Sequence, residues 1–166
     1  MEYFDVCTID RKPLGKKAQR GSKLENGEYH LVVMAILQNE NGEVLLTRRS
    51  QHKIAAGLWE CTAGSVLAGE NSRDAIIREV KEEIGLTVHV SGNPIQEYSE
   101  EDALFDIWLI KIETNVQDLV LQTDEVDEAK YACLNEIRQI IHSGAATTSL
   151  NELLKLHRAG IISIKE

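Results

Sequence analysis

Between residues 72 and 84 the apolar positions Ile76, Ile77, Val80 and Ile84 recur at three- and four-residue spacing, which predicts a helix with one buried stripe. Asn71 or Ser72 can cap its start, Asp74 puts negative charge in its first turn, and Gly85 stands where a left-handed terminating residue is wanted. Most of the remaining chain has a strand pattern. Residues 29–37 are rich in Val, Leu and Ile, Asn39-Glu40-Asn41-Gly42 turns the chain, and residues 43–49 return, so an antiparallel hairpin is expected. Short strands are predicted over 3–8, 59–63, 87–90, 95–100, 104–112 and 128–133. Residues 11–28, polar and carrying Pro13, Gly15, Gly21 and Gly27, read as hairpin or loop, and residues 50–58 and 117–127 as loops. Two further helices are expected over 135–142 and 149–159. The sum is an α/β fold, a mixed sheet flanked by helices.

At 166 residues the chain suits one well-filled core, so a single domain over 1–166 is expected, with residues 1–28 as an N-terminal strand and hairpin extension and 134–166 as C-terminal helices. The acidic start Met1-Glu2-Tyr3-Phe4-Asp5 is unlike a signal peptide, and no apolar run approaches membrane-spanning length. A cytoplasmic location and no membrane partner are therefore expected. Cys7, Cys61 and Cys133 have no paired spacing, which argues against a zinc site or a disulfide framework. A net charge of −9 works against a long nucleic-acid footprint but not against a small nucleotide neutralised by a metal ion.

Charge changes the picture most on the 72–84 helix. Glu79, Glu82 and Glu83 stand at i, i+3 and i+4, on what the stripe leaves as the exposed side, so their side chains can converge on one patch. Two carboxylates about 5 Å apart repel by roughly 3 kcal/mol at an effective dielectric near 20. Arg78 and Lys81 could offset this; a hard divalent cation offsets it better, since Mg²⁺ prefers carboxylate oxygen and leaves positions for water and phosphate. A solvated glutamate-rich face is the plainer reading of the same spacing.

The stretch from Gly64 to Leu86 resembles the Nudix box, G-x5-E-x7-R-E-U-x-E-E-x-G-U with U a bulky aliphatic residue. Gly64, Glu70, Arg78, Glu79, Val80, Glu82, Glu83, Gly85 and Leu86 fill every specified position. The resemblance implies a Nudix fold, an α/β/α sandwich around a mixed β-sheet with the box as a loop-helix-loop. It implies hydrolysis of a nucleoside diphosphate linked to another group, or of a similar small organic diphosphate, by water attack at phosphorus with Mg²⁺ or Mn²⁺. By the same likeness Glu82 and Glu83 are metal ligands, Glu79 a further ligand or the general base, and the Gly64 carbonyl completes the shell. Arg78 and Glu70 orient these groups. An acidic residue beyond the box, Glu125 ahead of Glu97, Glu100 and Glu101, is expected to serve as base or extra ligand. Relatives often dimerise, so a homodimer is considered.

Arg48 and Arg49 end a strand before the box and are candidate phosphate contacts, against the alternative of surface pairing with acid. Trp59, Trp108 and His30 read as structural. Two other activities are weighed. His30, Arg49-Ser50, Lys53-Ile54 and Gly57-Leu58-Trp59 also resemble isopentenyl diphosphate isomerases, which share the fold; these use a cysteine near the place Gly64 occupies and histidine ligands. Here Cys61 lies three residues earlier and Val66 stands where a histidine is expected, so hydrolysis is favoured. A nucleotide-sensing module without catalysis is disfavoured by the complete box.

Overall fold

The computed structural model describes residues 2–166; Met1, part of the expected 1–166 domain, lies outside them. A seven-stranded mixed sheet is built around β3 (His30–Gln38). Along its whole length β3 pairs in parallel with β8 (Ala103–Lys111), which pairs antiparallel with β7 (Gln96–Glu100). On its other side β3 meets β4 (Val44–Arg49) only through Leu37 and Gln38, next to the Asn39–Gly42 turn. Beyond that the two strands part, and the chain fills the gap: β6 (Ala63–Ser65) pairs with β3, while β5 (Trp59–Glu60) pairs with β4. The outer side of β4 carries β9 (Val126–Ala132). The split delivers Gly64 to the middle of the sheet, opposite Val33.

Side chains alternate along β3 and so feed two cores. Val33, Ala35 and Leu37 face α1 (Ser72–Ile84), packing with Ala75, Ile76, Val80 and Ile84. Met34 and Ile36 face α2 (Leu134–His142) and α3 (Thr148–Arg158), packing with Leu134, Ile137, Leu150 and Leu153. This is the expected α/β/α sandwich. The Asn71 side chain accepts from the Asp74 amide at 2.9 Å, and Gly85 adopts φ +72°, so α1 starts and stops where its caps predict.

One expectation changes, and of the two readings of 11–28 the hairpin is the one formed. Residues 87–90 form no strand: Val88 and Val90 pack their side chains against the α1-side core without entering the sheet. Residues 11–28 contain a strand, β2 (Pro13–Gln19), paired antiparallel with β1 (Tyr3–Cys7) as a separate two-stranded sheet over a small core of Phe4, Val6 and Leu24. Trp108 is structural, its indole donating to Ser72 Oγ at 3.0 Å, and His30 packs its ring 5.0 Å from Phe4.

Candidate active site

The box loop and α1 are joined by one arginine. Arg78 forks onto Glu70 through Nε and Nη2 at 2.9 and 2.8 Å, donates from Nη2 to the Ser65 carbonyl at 3.0 Å, and from Nη1 reaches Glu79 at 2.7 Å and Glu82 at 3.1 Å. Burial works to raise the Glu70 carboxyl, but the Arg78 fork and the Leu67 amide outweigh it and hold the group below its ordinary range. Arg78 therefore ties the loop to the helix and gives each of three carboxylates a donor, while its one positive charge offsets only one of their three negative charges.

Glu79, Glu82 and Glu83 line one cavity of about 70 Å³ together with Gly64 and Ala63 of β6. Their environments differ sharply. The Glu82 side chain is 53% exposed, that of Glu79 is 14% exposed, and Glu83 is only 4% exposed. The expectation that all three lie on an exposed face is thus corrected. On a 3.6-residue helix Glu83 falls seven residues after Ile76 and three after Val80, on the apolar stripe itself, and it points toward the sheet.

Glu83 Oε2 is buried without a hydrogen-bond partner among the described residues. Burial pushes the Glu83 carboxyl up, and the charges of Glu60 and Glu79 push it the same way. Burial likewise raises Glu79, against the pull of Arg78. Gly64 presses its backbone against this pair: a Cβ there would stand 2.1 Å from the Glu79 carboxylate. Among the described residues no three His, Cys, Asp or Glu side chains stand gathered as a ready metal cluster. The reason is visible in the pairing, since Arg78 draws Glu79 and Glu82 toward itself while Glu83 is turned inward. Even so, an unpaired buried carboxylate facing two others across a small polar cavity is a donor set that suits a hard cation.

Glu125 lines the same cavity from the loop before β9, paired with the Lys53 ammonium. That loop is fastened across the cleft, the Ser50 amide donating to the Glu125 carbonyl at 3.0 Å and the Ser50 hydroxyl to the Asp124 carbonyl at 2.9 Å. Glu97 lies elsewhere, 3.4 Å from Arg11. Arg48 and Arg49 are not among the residues lining the cavity. Arg49 forks onto Glu60 with Nη1 at 2.8 Å from both oxygens, and Arg48 pairs with Glu128 at 3.0 Å above the Trp59 ring. Their expected phosphate contact thus finds no support in their placement.

Sequence reasoning named Lys53 only within the isomerase resemblance, with no role, and did not name Arg20; both line the cavity. Lys53 had a readable signal, a lone cation before the small apolar run Ile54-Ala55-Ala56-Gly57 in the loop leading to the box. Burial lowers its ammonium, opposed by the charges of Glu83 and Glu60. Arg20 had none, because a hairpin brings it from 44 residues before Gly64. Cys61 is fully buried on the α2–α3 side, and burial pushes its thiol up to about 12.

Comparison with known proteins agrees with this arrangement. The NUDIX domain family matches residues 28–151. An uncharacterized Nudix hydrolase of Listeria monocytogenes is 35% identical over 167 residues, covering 98% of this chain and 99% of that one. An isopentenyl-diphosphate Delta-isomerase of Salmonella heidelberg is also 35% identical, but over 89 residues, covering 52% of this chain and 49% of its own. Among solved structures, a Deinococcus radiodurans protein superposes with a TM-score of 0.77 at 18% identity, covering 93% of this chain and 98% of that one, a likeness of fold. With a complete box on a loop-helix unit, the expected sandwich and a full-length relative, the chain belongs to the Nudix family and is a Nudix-type hydrolase.

Proposed function

We propose that this hydrolase cleaves the diphosphate linkage of a nucleoside diphosphate derivative, or of a similar small organic diphosphate, by water attack at phosphorus with Mg²⁺ or Mn²⁺ bound. Nudix hydrolases generally use divalent metal ions. The observation that carries the metal reading is the unpaired Oε2 of Glu83, buried beside Glu79 where a second negative charge is costly. Glu82, Glu83 and Glu79, with the Gly64 carbonyl, would hold the cation. Bound there, the ion would neutralise phosphate oxygens and acidify water.

The chain's own groups do the rest. Arg78, anchored by Glu70 and the Ser65 carbonyl, sets the direction of Glu79 and Glu82. Glu125 stands on the opposing loop with an ammonium on its carboxylate, so it can accept a proton from water once Lys53 turns to an anionic substrate. Glu79, raised by burial, is the other group able to take that proton.

Isomerisation is disfavoured by Cys61, whose thiol sits among Met34, Leu150 and Leu153 on the face away from α1. The test is chromatographic detection of the cleavage products, nucleoside monophosphate and the phosphorylated leaving group, with Mg²⁺ across nucleoside diphosphate sugars, dinucleoside polyphosphates, nucleoside triphosphates and prenyl diphosphates. Metal-dependent cleavage of at least one class is expected. Double-bond migration in a prenyl diphosphate, or tight binding with no turnover of any class, would replace the hydrolytic reading.

A further inference from the structure

Residues 2–20 precede the stretch that matches the NUDIX domain, yet they are fastened to its box. The Ala68 amide donates to the Tyr3 carbonyl at 2.8 Å, and the Gly69 amide to the Asp5 carboxylate at 2.6 Å, both in the loop between Gly64 and α1. At its turn the hairpin is tied to the main sheet. Arg11, held at φ +63°, places Nη1 2.5 Å from the buried Asp106 carboxylate and donates from Nη2 to the Phe105 carbonyl at 3.2 Å. With Phe4 against His30, these anchors fix where β2 ends.

It ends at the cavity. Arg20 follows β2 directly, its amide donating to the Glu2 carbonyl at 3.0 Å, and its side chain lines the cavity with Gly64, Glu79 and Glu82. The guanidinium has one acidic partner among the described residues, Glu2 at 2.7 Å, and the two side chains are 55% and 49% exposed. A pair so exposed is weakly held and exchangeable. A guanidinium fork matches phosphate oxygens, and a diphosphate would offer it more negative charge than Glu2 alone.

We propose that Arg20 is a substrate-binding residue, exchanging Glu2 for a phosphate oxygen of the diphosphate, so that the N-terminal hairpin supplies one wall of the active site. The inference rests on the diphosphate-hydrolase reading above. The test is calorimetric titration of the full chain, in Mg²⁺, with imidodiphosphate, a diphosphate whose bridging nitrogen resists cleavage. Arg20→Gln is expected to weaken Kd about tenfold, with the affinity for Mg²⁺ alone not reduced and the melting temperature unchanged. Arg20→Lys restores part of the loss, and Glu2→Gln tightens binding two- to fivefold, roughly the release of a surface pair. Wild-type binding that Arg20→Gln leaves intact overturns the inference alone, as does a Glu2→Gln variant that binds as poorly as Arg20→Gln, since the pair would then be a structural latch. Wild-type protein that takes up no imidodiphosphate with Mg²⁺ present also overturns the inference, while the hydrolase reading is decided separately by the turnover assay above.

Discussion

The two ends of the α1 carboxylate row are built on opposite plans. At the loop end every carboxylate has a hydrogen-bond donor: Arg78 serves Glu70, Glu79, Glu82 and a backbone carbonyl, and the result is a fixed junction between the box loop and the helix. At the sheet end Glu83 is buried with an oxygen unmet, and the charges of Glu60 and Glu79 act on it against that of Lys53. The first arrangement is what folding favours. The second opposes folding, as a buried carboxylate with an unmet oxygen does, and the proposed cation is what would complete it.

Glu83→Gln breaks the contrast most severely. Turnover in Mg²⁺ is expected to fall by at least about 100-fold, since a lost ligand costs more than a lost supporting group. The metal-free protein should meanwhile melt a few degrees higher, because about 1–2 kcal/mol of unpaired buried charge is removed. Steady-state kinetics and a thermal melt in chelator read both effects. Arg78→Gln attacks the matched end. It should cost about 2 kcal/mol of stability and reduce kcat by roughly 10- to 100-fold, the reverse sign of stability change from Glu83→Gln.

Gly64→Ala separates geometry from charge. The atoms nearest the added Cβ belong to the carboxylate end of Glu79, a side chain that can swing away, so the melt should hold within a few degrees while kcat drops about tenfold. The smallest effect belongs to Cys61→Ala, with hydrolysis expected within about twofold of wild type, since the residue touches the α2–α3 core and not the cavity. A thiol reagent should modify the half-buried Cys133 at pH 8 but spare Cys61 until the protein unfolds, because a buried thiol pushed up to about 12 supplies almost no thiolate.

What could be read from sequence followed the range of the forces involved. The ends of α1 were legible because Asn71 and Gly85 act within one turn. The β3–β4 hairpin was legible in its turn but not in its splaying, which depends on β5 and β6 entering from 20 residues on. Residues 87–90 carried β-propensity, yet Val88 and Val90 pack against the α1-side core without entering the sheet. The burial of Glu83 was present in the helical period, on the Ile76–Val80 stripe, and was obscured by treating three neighbouring glutamates as one face. Arg20 and the pairing of Arg49 with Glu60 are products of tertiary placement and left no local mark.

The central claim is that the unmatched carboxylate end of α1 takes a divalent cation. Calorimetric titration of Mg²⁺ into wild-type protein and Glu83→Gln, with Mn²⁺ as a second probe, tests it directly. The account predicts saturable binding to wild type and at least a tenfold loss in the variant, in line with a missing ligand. Equal affinity in the two proteins, or no uptake of either ion by wild type, would contradict it.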